Sequence, residues 1–274
     1  MKLRSLMFVL PNLFTVSSIF CGFYALSLCG PDATDSELYQ AALAIFFGMF
    51  FDGFDGRVAR LTKTQSDFGV ELDSLADVVS FGAAPALMAY RWALQDFGFL
   101  GKFISFAFLA CGALRLARFN VLARRSPHGG ASRFFVGLPI PLAAGVLVSA
   151  VIANHAARGV ELPASARVAA AVGVTVLALL MVSTVPYRTF KDIKFSKVSL
   201  MVFGFVVVGG VLIATQLHPA WVLVAYFSVY LVLGLVEAAL QWRRRLLDKR
   251  AVADDDEDDL LEDGPDDVDE QEVL

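Results

Sequence analysis

The sequence predicts an all-α fold, a polytopic membrane bundle of about eight transmembrane helices. Of its 274 residues 57% are apolar and only 18% are charged, and the mean hydropathy is +0.64. Soluble domains are about one quarter charged, so this chain cannot cover a globule of its size with polar side chains. Apolar stretches long enough to cross a bilayer also recur along the chain. A soluble acidic protein is therefore excluded.

Each of these apolar stretches is close to the roughly 20 residues that a helix needs to cross the hydrocarbon core. Their length favours helices over strands, because the strands of a soluble core are shorter. The later stretches have no polar face that could meet water. The predicted spans lie near residues 8–29, 38–60, 67–90, 100–122, 136–155, 165–185, 198–216 and 219–241.

The formal net charge of −4 combines two unequal parts of the chain. Residues 251–274 contain 13 of the 27 Asp and Glu and none of the 23 Lys and Arg, so residues 1–250 carry +9. Eight spans place both termini on one side, and 19 basic residues fall on that side against 4 on the other. The excess predicts that both termini face the cytoplasm, in the inner (cytoplasmic) membrane. Residues 246–274 are predicted to be a disordered acidic cytoplasmic tail.

Four carboxylates lie inside the second and third predicted spans, where ionisable groups are costly and indicate function. They are Asp52 and Asp55, then Asp73 and Asp77. A turn near residues 64–65 would fold the two helices together. At about 1.5 Å per residue the carboxylates then pair at matching depths, roughly 14–20 Å from the turn. Divalent cations would relieve their repulsion, and oxygen ligands favour Mg²⁺, Mn²⁺ or Ca²⁺ over soft metals.

Small residues accompany the carboxylates, namely Gly53, Gly56, Ala59 and Gly69. They would leave open space in which a flat base or a phosphate could approach the backbone. Helix–helix packing also uses small residues, so each glycine taken singly favours packing. Beside four aspartates, the open-space interpretation is favoured.

The combined pattern resembles the signature of the CDP-alcohol phosphatidyltransferases. Residues 52–60 read DGFDGRVAR, and Gly69, Asp73 and Asp77 follow at the gaps of D-x2-D-G-x2-A-R-x8-G-x3-D-x3-D, so every fixed position is met. The Pro-Asn-x2-Thr run of residues 11–15 is similar to that family's opening segment. The resemblance covers about residues 5–200. It implies the CDP-alcohol phosphotransferase fold, with a transmembrane catalytic domain over residues 1–245 and its site in residues 38–90.

The resemblance implies transfer of a phosphatidyl group from CDP-diacylglycerol to an alcohol, with release of CMP. Asp52, Asp55 and Asp73 would hold two divalent cations, Mg²⁺ or Mn²⁺, with help from Asp77, which is also the candidate general base. The lipid bilayer is an expected partner, the resemblance implies a homodimer, and no nucleic-acid partner is expected. The residues that would bind CDP-diacylglycerol are Asn12, Thr15, Asp52, Gly56, Ala59, Arg60 and Gly69.

Three further segments resemble the bacterial phosphatidylserine synthases of the integral-membrane type, which implies L-serine as the acceptor. They are residues 114–120, 135–141 and 186–191. The serine carboxylate could be held by Arg115 or Arg118 in a bidentate pair, near Asn120. Arginines at the cytoplasmic end of a span are equally explained by membrane topology. Ile140 stands where a small polar residue is expected, which speaks against serine.

Other functions stay open at this point. Choline, inositol phosphate or glycerol 3-phosphate could replace serine, and a phosphorylated acceptor would need several basic residues around the cavity. A cation transporter would spread its carboxylates over several spans, whereas here they cluster in one hairpin. A purely structural membrane scaffold does not account for four inward carboxylates.

Overall fold

The computed structural model describes residues 3–125, 134–157, 162–184, 186–188, 221–229 and 231–232. The described chain is almost entirely helical, as predicted. The α-helices are α1 (Leu3–Leu28), α2 (Asp35–Leu61), α3 (Asp67–Asp77), α4 (Ala84–Ala89), α5 (Gly98–Arg125), α6 (Ile140–Ala156) and α7 (Ala164–Val182). Two π-helical segments, Val78–Ala83 and Tyr90–Leu94, and a 3₁₀ turn, Gln95–Phe97, join α3, α4 and α5.

A short antiparallel ribbon departs from the predicted all-α class. Strand β1 (Phe134–Val136) pairs with β2 (Pro186–Arg188), and Phe134 lies opposite Arg188. The pairing joins segments far apart in sequence, so no local pattern of apolar residues could reveal it. The fold is therefore helical with one small ribbon between the α5–α6 connection and the end of α7.

The first six predicted spans coincide with helices, whereas the count of eight is not confirmed. Within the described residues, Pro11–Leu28, Asp67–Leu122 and Ala164–Val182 are long and apolar enough to cross a membrane, and Ile140–Ala156 is a shorter apolar helix. The seventh predicted span lies outside the described residues. The eighth is described only at residues 221–229 and 231–232, which are helical.

The start of α6 corrects the predicted span at 136–155, because the helix begins only at Ile140. Gly137 has a positive φ of 82°, and a Cβ there would contact the backbone carbonyl oxygen of Met181. The next residue, Leu138, donates its N–H to the Leu180 oxygen at 3.0 Å. These contacts bring the chain beside the end of α7 before Pro139 caps α6.

Helices α1 and α2 pack antiparallel through a seam of small residues. On α1 the seam residues Thr15, Ser18, Gly22 and Ala25 are buried and recur every three or four positions, on one helical face. On α2, a Cβ at Gly48 would lie 3.4 Å from the Cβ of Cys21. Small residues allow this close approach, which suits helices that meet inside a membrane.

The helical rod from α3 to α4 runs parallel to α1 and touches it closely. Ser80 donates a hydrogen bond from Oγ to the Ser18 carbonyl oxygen at 2.8 Å. Pro85 has no N–H to give to the carbonyl of Phe81, four residues earlier, and the π-helical segment at Val78–Ala83 immediately precedes it. Pro85 therefore explains why the helix widens into a π-helical turn at this point.

Helix α5 returns antiparallel along the same rod. The reversal occurs at Gly98, whose φ is 54°. Ser105 donates to the Ala86 carbonyl oxygen at 2.6 Å, and farther along Asn120 donates to the Ser74 Oγ at 2.9 Å. The long apolar segment Asp67–Leu122 therefore forms two packed arms, and the second half of α5 lies beside α3.

A polar network joins α2 and α6 at the beginning of α2. Thr34 and Glu37 form a capping box, and the His155 ring contacts Asp35 at 2.5 Å. Tyr39 stacks on His155 with ring centroids 4.2 Å apart. Asp35 and Asp55 are about 30 Å apart along the helix at 1.5 Å per residue. This network therefore lies at the opposite end of α2 from its carboxylates.

We predict that Gly22→Ala destabilises the protein by about 1–3 kcal/mol through overpacking. The added Cβ would lie 2.7 Å from the Ser80 Cα, so backbone must move. Thermal unfolding of the purified protein in detergent measures the change. Gly173→Ala is the matched control, because nothing lies within 4 Å of a Cβ there and alanine favours helix by about 1 kcal/mol. Equal melting temperatures for both variants would contradict the close packing of α1.

Candidate active site

The hairpin between α2 and α3 turns where the sequence predicts it. Helix α2 ends at Leu61 and α3 begins at Asp67. The hydroxyl oxygens of Thr62 and Thr64 are 2.7 Å apart within the turn. Ser66 caps α3 by accepting the Gly69 N–H at 3.1 Å. These local bonds fix the start of α3 and hence the register of its carboxylates against those of α2.

Three carboxylates come together between α2 and α3. Asp52, Asp55 and Asp73 each offer an oxygen atom, and these three oxygens lie within 4.8 Å of one another. Asp55 is only 6% exposed, and its Oδ2 accepts a hydrogen bond from the Thr15 hydroxyl at 2.8 Å. The predicted convergence of these three aspartates is therefore present in the fold.

Asp77 lies at the buried edge of this group. Its side chain is 8% exposed and lies beside the Asp52 carboxyl group, and Arg115 lies close by on α5. Its Oδ1 atom is buried and makes no hydrogen bond among the described residues. An oxygen acceptor that is buried without a partner is costly, which is typical of a group that awaits a ligand or an ion.

The donor set fits a hard divalent cation. The three clustered groups are all carboxylates, which are the ligands that Mg²⁺, Mn²⁺ and Ca²⁺ prefer. Like charges this close repel strongly in a low dielectric. A cation bound among them would add attraction that outweighs this repulsion. The buried Oδ1 of Asp77 offers a further acceptor beside the cluster. This aspartate cluster is thus a site that could hold a metal.

Gly53 and Gly56 border open space. A Cβ on either would meet nothing within 4 Å, so neither glycine is needed for packing against another described helix. Gly69 differs, since a Cβ there would lie 3.2 Å from the Ser66 Oγ and 3.8 Å from the Asn12 Oδ1. The open-space interpretation therefore suits the two glycines on α2, and close packing suits Gly69.

The remaining residues that the resemblance assigns to CDP-diacylglycerol surround the same hairpin. Asn12 is half-buried with its Oδ1 toward Gly69, and Ala59 is half-buried on α2. Arg60 is exposed, and its Nε donates to the Gly56 carbonyl oxygen at 2.9 Å. The hydroxyl of Thr15 points to Asp55, a contact that the sequence reasoning did not anticipate. These side chains lie around one end of α1, α2 and α3.

The three residues on α5 that are candidates for binding the acceptor alcohol lie in different surroundings. Arg115 is buried next to Asp77, with its guanidinium 5.7 Å from the Phe119 ring centre. Arg118 is exposed, and one of its terminal nitrogens lies 3.4 Å from the Val182 carbonyl oxygen. Asn120 donates to Ser74, a residue that sequence reasoning missed although it lies directly after Asp73. Ser74 thus joins α3 to α5, a tertiary contact that its position beside Asp73 does not reveal.

The chain belongs to the CDP-alcohol phosphatidyltransferase family. The model of that family matches residues 8–236, which include the hairpin and every candidate site residue described above. The aspartate cluster between α2 and α3 is therefore the part of this chain that carries the family's sequence signature.

Two curated relatives are similar over nine-tenths of their length, and a third over about half. A CDP-diacylglycerol–serine O-phosphatidyltransferase of Helicobacter pylori is 36% identical over 232 residues, 84% of this chain and 91% of its own. The protein of the same name from Bacillus subtilis is 36% identical over 182 residues, 66% of this chain and 91% of its own. An archaetidylserine synthase of Methanothermobacter thermautotrophicus is 38% identical over 137 residues, 49% of this chain and 54% of its own.

We predict that Asp73→Asn raises the melting temperature of the metal-free protein, measured in EDTA, because it removes one of the mutually repelling charges. The wild type should gain stability from Mn²⁺, by about 2.7 kcal/mol at 100 times the Kd, and the variant should gain much less. Both effects are read from thermal unfolding in detergent.

Asp32→Asn is the matched control, since Asp32 is exposed in the α1–α2 connection, away from the cluster. It should behave as wild type in both buffers. A wild-type protein that melts at the same temperature in EDTA and in Mn²⁺ would contradict a metal site.

Proposed function

We propose that this protein transfers the phosphatidyl group of CDP-diacylglycerol to the hydroxyl of L-serine, giving phosphatidylserine and CMP. The observation that carries the proposal is the cluster of Asp52, Asp55 and Asp73, whose oxygens lie within 4.8 Å of one another in the family's signature segment. Serine as the acceptor is supported by relatives named CDP-diacylglycerol–serine O-phosphatidyltransferase, each aligned over 91% of its own length.

In this proposal Asp52, Asp55 and Asp73, with help from Asp77, hold two divalent cations, Mg²⁺ or Mn²⁺. When bound, the cations supply positive charge that stabilises the negative charge developing on the attacked phosphate and on the departing CMP. The carboxylates position that charge at the end of the bundle where α2 and α3 meet.

Asp77 is the proposed general base. Its Oδ1 is buried without a hydrogen-bond partner among the described residues, so it can accept a hydrogen bond from the serine hydroxyl. As Asp77 takes the proton, the serine oxygen bonds to the phosphorus on the lipid side, and the bond from that phosphorus to the CMP oxygen breaks. Arg115 beside Asp77 offsets part of the negative charge in the site.

The nucleotide end of CDP-diacylglycerol is proposed to bind along α1 and α2. The open space at Gly56 supports this placement, because a base or phosphate can approach the backbone there. Arg60 is exposed and can reach a phosphate. The proposed binding residues are Asn12, Thr15, Asp52, Gly56, Ala59, Arg60 and Gly69.

Helix α5 is proposed to bind the acceptor through Arg115, Arg118 and Asn120. Arg118 is the best placed for the serine carboxylate, because it is exposed and its contact with the Val182 oxygen is long, at 3.4 Å. A guanidinium can hold a carboxylate with two parallel hydrogen bonds. Arg115 and Asn120 are closer to the carboxylate helices and would shape the pocket between them.

The proposal also covers the orientation of the enzyme in the membrane and its domain organisation. The 19 to 4 distribution of basic residues supports both termini and the active site on the cytoplasmic side of the inner membrane. Eight spans, a catalytic domain over residues 1–245, a tail over 246–274 and a homodimer remain predictions. The tail and the seventh span lie outside the described residues.

The decisive assay incubates the purified full-length protein with CDP-diacylglycerol, Mn²⁺ or Mg²⁺, and one alcohol at a time, and measures CMP release. We expect release with L-serine and little with choline, inositol phosphate or glycerol 3-phosphate. Asp77→Asn should abolish release with every alcohol. Release with another alcohol but none with serine would overturn the acceptor, and an active Asp77→Asn variant would overturn the base.

We predict that Arg118→Gln raises the KM for serine by about 10- to 100-fold, equal to about 1.5–3 kcal/mol for a hydrogen bond to a charged group. Arg118→Lys should recover only part of the loss, because lysine cannot form the bidentate pair. The KM for CDP-diacylglycerol should stay unchanged in both variants. An unchanged KM for serine in Arg118→Gln would show that Arg118 does not bind the serine carboxylate and contributes only to membrane topology.

A further inference from the structure

Thr15 lies where the α1 seam reaches the carboxylates. It is only 4% exposed and continues the buried face formed by Ser18, Gly22 and Ala25. Its hydroxyl Oγ1 lies 2.8 Å from the Oδ2 of Asp55, which is 40 residues later in the chain. A polar side chain that is buried in this seam of small residues needs a hydrogen-bond partner for its hydroxyl, and for Thr15 the structure supplies one.

Two acceptors are within reach of that hydroxyl. The carbonyl oxygen of Pro11, one turn earlier on α1, is 3.3 Å away, whereas the Asp55 oxygen is 2.8 Å away. A hydroxyl carries one hydrogen and can donate it to one acceptor at a time. The shorter contact goes to a carboxyl oxygen, and carboxylates are stronger hydrogen-bond acceptors than neutral groups. The Thr15 proton therefore belongs to Asp55.

This bond restrains a carboxylate that its neighbours repel. Asp52 and Asp73 place like charges within 4.8 Å of Asp55, and rotation about the Asp55 side chain is the simplest escape from them. We propose that Thr15 is a positioning residue, which holds Asp55 so that it is ready to bind a divalent cation. The role rests on the proposed metal-dependent function and would make Thr15 an outer-shell partner of the metal.

Thr15 is also among the residues proposed above to bind CDP-diacylglycerol, and a nucleotide contact and a positioning role have different consequences. A nucleotide contact would matter only when CMP or CDP-diacylglycerol is present. A positioning role would matter for the metal alone, before any substrate binds. Metal binding without substrate therefore separates them.

The experiment titrates the substrate-free, full-length protein in detergent with Mn²⁺ and follows free Mn²⁺ by electron paramagnetic resonance. Thr15→Val, which keeps the shape and removes the hydroxyl, should weaken Mn²⁺ binding by about 10- to 100-fold, as for other lost outer-shell partners. Thr15→Ser should restore it to near the wild-type value. Ser17→Ala is the matched control, because Ser17 bonds its own helix at Leu13, and it should bind Mn²⁺ as wild type does.

Wild-type Mn²⁺ affinity in Thr15→Val would overturn the proposal, and weakened CMP binding in that variant would then favour the nucleotide contact. Thr15→Ala is tested in parallel, because alanine also removes the hydroxyl and its smaller side chain cannot overpack the seam. Equal weakening in Thr15→Ser and Thr15→Val would also overturn it. Normal Mn²⁺ effects without serine transfer would instead overturn only the proposed reaction.

Discussion

Repulsion among carboxylates held between apolar helices is the constraint on which the rest of this structure depends. Asp52, Asp55 and Asp73 present oxygens within 4.8 Å of one another, and Asp77 is buried beside them. In a low dielectric such a group favours separation of its helices. The fold opposes this with packing: the small residues of the α1 seam, the Ser80–Ser18 hydrogen bond and the capped α2–α3 turn all hold the helices together.

The same constraint explains the division of polar groups along α2. Its first residues form a capping box and contact His155, which satisfies the charges at that end within the protein. Its last turns carry Asp52 and Asp55, which lie close to the like charge of Asp73. Among the described residues, the cation that acts on this group is Arg115, through Asp77. The polar groups at the first end therefore stabilise the fold, whereas the other end keeps a cluster of negative charges that a bound cation can neutralise.

The sequence predicted those parts of the fold that depend on local spacing. The carboxylate hairpin follows from helical periodicity, a polar break and fixed gaps, and the turn lies at Thr62–Ser66 as expected. The contacts of Thr15 with Asp55 and of Asn120 with Ser74 join residues 40 and 46 positions apart, so they depend on tertiary packing. The β1–β2 ribbon and the late start of α6 were missed for the same reason, since Gly137 is required by its approach to α7.

Acceptor choice is best sought on α5 and not in the hairpin. The hairpin residues already have other tasks in the proposed function, because the carboxylates cluster together and Gly53 and Gly56 border open space. Helix α5 is independent of those tasks, yet it approaches Asp77 through Arg115 and contacts α3 through the Asn120–Ser74 bond. A change on α5 can therefore alter the pocket beside Asp77 while the distances among Asp52, Asp55 and Asp73 stay the same. Under the proposed function, the metal site would stay the same for different alcohols, and α5 side chains such as Arg118 would determine which hydroxyl reaches the base.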